Sequence, residues 1–183
     1  MLFRPVFALA FVASAFANPL FSRQDSNTNA AIDPVVSKLS VRAHDSIPTI
    51  LTLQANQTAS DATIGPQIND LIDALNETTT SLQGISPSSG SNDTDPTNDD
   101  LSVVFGGVVS LVASGLSGLT TATVPSLNDM FGDLDPALAA SITAFNTTAP
   151  QSFNFVHILM LDASQFLRDE GLSQSLTALG FTA

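Results

Sequence analysis

"LSVVFGGVVSLVASGLSGLT" (residues 101–120) opens a run with no charged side chain until Asp129, and its reading decides the fold. Either this stretch crosses a bilayer or the protein buries it. Wound at about 100° per residue, it separates by size rather than by charge. Leu101, Val104, Phe105, Val108, Val109, Leu111, Val112, Leu116 and Leu119 share a bulky arc, and Ser102, Gly106, Gly107, Ser110, Ala113, Ser114, Ser117 and Gly118 a smooth one; only Val103 and Gly115 are out of place. A membrane span also looks like this, with small residues turned toward a partner helix. The flanks discriminate. Asp99 and Asp100 abut one end, no Lys or Arg lies near, and the chain has neither Trp nor Tyr to form an interfacial belt. Four glycines cost an isolated helix on the order of 3–4 kcal/mol relative to alanine, which neighbouring helices must offset. The expectation is the central helix of a water-soluble bundle, with no transmembrane span.

Working outward, residues 61–82 carry the cleanest stripe: Ile64, Ile68, Leu71, Ile72, Leu75 and Leu82 on one face, Asp70, Asp73, Asn76 and Glu77 off it, with Gly84 as a stop. Upstream, Ile32, Val35, Val36, Leu39, Ala43, Ile47, Ile50 and Leu51 fall at helical spacing. Asp33-Pro34 reads as the cap and first turn of that helix, and Pro48 as a bend or interruption. Between these segments and the central helix, "GISPSSGSNDTDPTNDD" (residues 84–100) reads as a flexible acidic loop. Asp93, Asp95 and Thr97 match the first ligands of a calcium loop. Asn98 stands where the sharp turn needs Gly, however, and Val104 where the bidentate Glu belongs, so no metal is expected.

Val124-Pro125 breaks the chain again before a short helix around Leu127, Met130 and Phe131. Asp135-Pro136 repeats the earlier cap and starts another, with Leu138, Ile142 and Phe145 inward. A last long helix is expected over residues 151–170, burying Phe153, Phe155, Val156, Leu159, Met160, Ala163, Phe166 and Leu167; Ile158 and Leu161 interrupt its polar face. A terminal turn carries Leu172, Leu176, Leu179 and Phe181. Period-two strand signals are scarce. The expected fold is all-α, a bundle of about five amphipathic helices over residues 30–183, with no disulfides because there is no cysteine.

The N-terminus reads as a leader. Arg4, the apolar residues 5–12 and Ala15-Phe16-Ala17 make a signal peptide over residues 1–17, followed by a disordered arm over 18–29 with a candidate trimming site after Arg23. Secretion without cysteine places the whole burden of stability on packing. The net charge of −12 becomes one unit more negative once Arg4 leaves, which repels nucleic acid and anionic membranes and suits an acidic extracellular medium.

Catalytic material is nearly absent. The two histidines, His44 and His157, lack a base-and-nucleophile setting: His44 adjoins Asp45, which helical geometry turns away from it, and His157 lies near Ser164 and Arg168 at the edge of an apolar face. No nucleophile elbow, phosphate loop, zinc motif or cysteine occurs, so neither enzyme activity nor a cofactor is expected. Asn56, Asn76, Asn92 and Asn146 head N-glycosylation sequons.

A leader, no cysteine, a Ser/Thr/Ala-rich acidic helical domain and the ending "FLRDEGLSQSLTALGF" (residues 166–181) together resemble the fungal hydrophobic-surface-binding protein A and cell-wall mannoprotein family, including small secreted wall proteins of mushroom-forming fungi linked to aerial hyphae. The resemblance implies a secreted, non-enzymatic wall or extracellular protein that adsorbs to hydrophobic surfaces or wall components through amphipathic helices. The alternative it implies is a carrier holding a fatty acid between the helices. For the carrier, Phe105, Val109, Phe131, Phe145, Phe155, Leu159 and Phe166 are the candidate lining.

Overall fold

The computed structural model describes residues 26–182. The expected signal peptide, the Arg23 trimming site and the arm as far as residue 25 lie outside the described residues. Four long helices, α1 (Asn29–Ala55), α2 (Asp61–Gln83), α3 (Asn98–Leu116) and α4 (Leu127–Thr148), are followed by three short ones, α5 (Pro150–Leu159), α6 (Ser164–Asp169) and α7 (Ser173–Ala178). The described chain is all-α, with seven helices where about five were expected. Helix α1 packs on α2 and α3, α2 on α4, α3 also on α5 and α6, and α4 on α5 and α7, while α6 touches α7.

Helix α3 sits at the centre. Leu101, Phe105, Val108, Val109, Val112 and Leu116 are all at most 1% exposed. It is the one helix among the described residues long and apolar enough to cross a bilayer, with a mean hydropathy of 1.5, and its bulky face lies inside the protein. The smooth arc is divided. Gly106 receives Leu159 and the backbone of Val156 from α5, and Ser102 donates to the Ser152 carbonyl at 2.8 Å. Gly107 and Ser114 face outward. Gly115, anomalous by size, lies against α1: a Cβ there would come within 2.2 Å of Ile47 Cγ2. Val103, the other anomaly, is exposed.

The proline expectations need correcting. Helix α1 begins at Asn29, so Pro34 lies inside it, and it runs unbroken through Pro48. Likewise α4 passes through Pro136 as a single helix instead of stopping and restarting. Pro34, Pro48, Pro66 and Pro136 are all exposed. On the outer face of a helix, the carbonyl that proline leaves without a partner is available to water, and the packing of buried neighbours such as Ile47 and Ile50 keeps the helix continuous. Asp135, released from capping its own helix, caps another. Its carboxylate accepts from the backbone N–H groups of Gln174 (2.9 Å) and Ser175 (2.8 Å) and from Ser175 Oγ (2.6 Å), fastening α7 to α4.

The expected helix over 151–170 is also corrected: it breaks into α5 and α6 across a turn at residues 160–163. Met160 and Ala163 in the turn are buried, whereas Phe155 and Leu159 on α5, expected inward, are exposed. The acidic loop ends at Thr97, where Thr97 Oγ1 accepts from Asp100 N–H at 3.0 Å and the Asp100 carboxylate accepts from Thr97 N–H at 2.9 Å, a reciprocal cap that starts α3. Ser88 N–H donates to the Thr148 carbonyl, Ser88 Oγ to Asn29 Oδ1, and Asn29 Nδ2 to Asn98 Oδ1, tying the loop to α1, α3 and α4.

Candidate functional site

The seven residues proposed as an acyl-chain lining occupy three separate places. Phe105, Val109 and Phe145 fill the core, with the Phe105 and Phe145 rings stacked at 4.2 Å between centroids. Phe131 and Phe166 share a crevice of about 330 Å³ between the start of α4, the end of α6 and the 117–121 turn. Phe155 and Leu159 lie on the surface of α5. No single cavity brings the seven together.

Beside the aromatic crevice lies Glu170. Both of its carboxyl oxygens are shielded from solvent and lack a hydrogen-bond partner. Burial pushes this carboxyl up to about 8, with the adjacent Asp169 adding to the shift. A neutral carboxyl at ordinary pH is the physical consequence.

The histidines have ordinary tasks. His44 Nδ1 lies 2.8 Å from the Ser40 carbonyl on an exposed face. His157 Nδ1–H donates to the Leu179 carbonyl at 2.7 Å and its ring stacks on Phe181 at 4.4 Å, so it clamps the C-terminal segment onto α5. Among the described residues, no three of His, Asp or Glu are grouped to hold a metal ion. The described cations are engaged: Lys38 pairs with Glu77, Arg42 with Asp70, and Arg168 donates to the Thr182 carbonyl. Asn56, Asn76, Asn92 and Asn146 are all exposed.

Two surface features remain. The first is an apolar ridge on α5 and the turn after it, where Phe155 (36% exposed), Ile158 (56%), Leu159 (38%) and Leu161 (57%) fall within seven positions. Leu159 lies across Gly106 of α3, and Val103, one turn earlier on α3, is also exposed. Large apolar side chains normally appear singly on a protein surface, and here four fall close together in the chain.

The second is an open groove of about 930 Å³. Its floor is the outer face of α4, with Pro136, Ala140, Thr143 and Thr147 at one helical stripe; one wall is the end of α2 and the loop after it, Gln83, Ile85 and Pro87, and the other is α7, Gln174, Thr177 and Ala178. None of its lining residues is ionisable. Sequence reasoning missed this groove because it followed the bulky face of α4. The signal was present in the small residues on the opposite face.

No protein-family model matches this chain, and no curated protein matches it in sequence.

Proposed function

We propose that this protein is secreted, carries no enzymatic activity, and adsorbs to hydrophobic surfaces or wall components outside a fungal cell. The observation that carries this reading is the ridge of Phe155, Ile158, Leu159 and Leu161. Covering the exposed part of each side chain contributes on the order of 1 kcal/mol. The ridge is already outside the core, so adsorption requires no opening of the bundle. The burial of α3 supports a water-soluble state without a transmembrane span, and the acidic charge disfavours nucleic acid as a partner. Secretion rests on the leader pattern of residues 1–17.

The test is adsorption to polystyrene or octyl-agarose beads, comparing the unaltered protein with Phe155→Ser/Ile158→Ser/Leu161→Ser. The expected result is strong adsorption lost in the triple variant, with helical content unchanged. Equal adsorption of the two proteins overturns the ridge as the adhesive face, and retention of the processed chain in the membrane fraction overturns secretion.

The α2–α4–α7 groove favours a second reading, an extracellular lipid carrier with fatty acid among its candidate ligands. Its volume falls within the range that encloses small ligands. Organic extraction of protein purified from culture medium, followed by mass spectrometry, yields a stoichiometric lipid if this reading holds.

A further inference from the structure

The chemistry of the groove narrows what it accepts. We infer that the groove between α2, α4 and α7 takes a neutral lipid with a hydroxyl head, such as a long-chain alcohol, and discriminates against the fatty-acid anion. This rests on the carrier reading above and deepens it.

An alkyl chain gains the same from an apolar groove whatever its head, so the head decides the preference. A carboxylate accepts hydrogen bonds and needs donors or a cation wherever water is displaced. The groove supplies no cation and only a few neutral donors. The threonine hydroxyls that line it have committed their protons to backbone carbonyls: Thr143 to Ala139 at 2.8 Å, Thr147 to Thr143 at 2.9 Å, Thr148 to Leu82 at 3.2 Å and Thr177 to Ser173 at 2.9 Å. They remain able to accept only. The backbone N–H groups at the start of α7, which border the groove, are taken by Asp135, whose carboxylate adds a negative charge at that end. Neutral side-chain donors, the Gln83 and Gln174 amides and the Ser173 hydroxyl, are all that the lining retains.

The described cations give no help, since Lys38 and Arg42 of α1 are paired with Glu77 and Asp70 of α2, and Arg168 is turned to the C-terminal segment. An alcohol reverses the requirement. Its hydroxyl donates, and Thr143, Thr147 and Thr177 offer acceptors along the groove. The head group is then matched to the lining without a cation.

The test uses 1-dodecanol and laurate at pH 8 with the full secreted chain, following the methyl resonances of Ala140, Thr143 and Thr147 to localise binding. The expected result is dodecanol binding in the groove at least tenfold tighter than laurate. Ala140→Lys, a change on the exposed floor, is expected to reverse the order by supplying the missing cation. Laurate binding in the groove as tightly as dodecanol overturns the inference while leaving the carrier reading intact. If neither ligand moves the groove resonances, the carrier reading falls and takes the inference with it. A preference that Ala140→Lys leaves unchanged also overturns it, because the discrimination then arises outside the groove.

Discussion

The Phe105 and Phe145 rings lie parallel, 4.2 Å apart at their centroids with 4° between their planes, and both side chains are completely buried. They join α3 to α4 through the centre of the bundle. With no disulfide available, this kind of packing is what keeps the helices together.

Phe145→Ala is therefore expected to cost about 3–5 kcal/mol through lost burial and the cavity left behind. Urea denaturation measures it. A double-mutant cycle with Phe105→Ala is expected to return a coupling of roughly 0.5–1.5 kcal/mol, and strict additivity would contradict the stacked arrangement.

Glycines of α3 are not equivalent. At Gly115 a methyl group meets Ile47 Cγ2, whereas at Gly107 nothing lies within 4 Å of the added atom. Gly115→Ala is expected to destabilise by about 1–3 kcal/mol through overpacking. Gly107→Ala is expected to stabilise by up to about 1 kcal/mol through helix propensity. Thermal unfolding of the two variants, one falling and one rising, tests how closely α1 and α3 approach.

Asp135→Ala removes the carboxylate that holds the start of α7. The expected loss is about 1–2 kcal/mol, as for other caps. Hydrogen exchange separates this from a general weakening: the amides of Gln174 and Ser175 gain exchange first, while those of α2 keep their protection.

Stability should depend on pH in a direction set by Glu170. Its carboxyl is pushed up to about 8 in the folded protein against an ordinary value of 4.5, so folding favours the protonated form. The stability is fully present below the unfolded value and is lost as pH rises through about 8. After allowance for solvent screening of a partly exposed residue, the loss is about 2 kcal/mol. Asp70 acts in the opposite sense. The hydrogen bond from Arg42 holds its carboxyl below the usual range, and that contribution disappears as the pH falls through the folded value. The melting temperature is expected to be greatest in mildly acidic solution. Glu170→Gln is expected to flatten the decline between pH 5 and 8, and an unchanged decline would show that its buried carboxyl is not the cause.

Much of the helical architecture was legible because burial follows periodicity. Of the stripe on α2, Ile64, Ile68, Leu71, Leu75 and Leu82 are buried as their spacing demanded and Ile72 is partly so, and Leu101, Phe105, Val109, Val112 and Leu116 lie inside as the charge-free run suggested. Punctuation misled. Asp33-Pro34 and Asp135-Pro136 have the form of helix starts, yet both lie within helices; the cost of about 3 kcal/mol that an interior proline imposes is offset by the packing of the opposite face. The Thr97–Asp100 reciprocal cap is present in the sequence as a spacing of three, inside the stretch that also matches the first ligands of a calcium loop.

By itself, the sequence determined that this chain would form helices and hide a long apolar one among others, since periodicity and the absence of charge are local properties. Tertiary structure decided which apolar residues stay outside. On α5 the side carrying Ser152 and Val156 is covered while Phe155 and Leu159 are left in solvent, and the meeting of α2, α4 and α7 turns a row of small residues into a groove. Both depend on the relative placement of helices distant in sequence, and no single helix's spacing records how its neighbours will cover it.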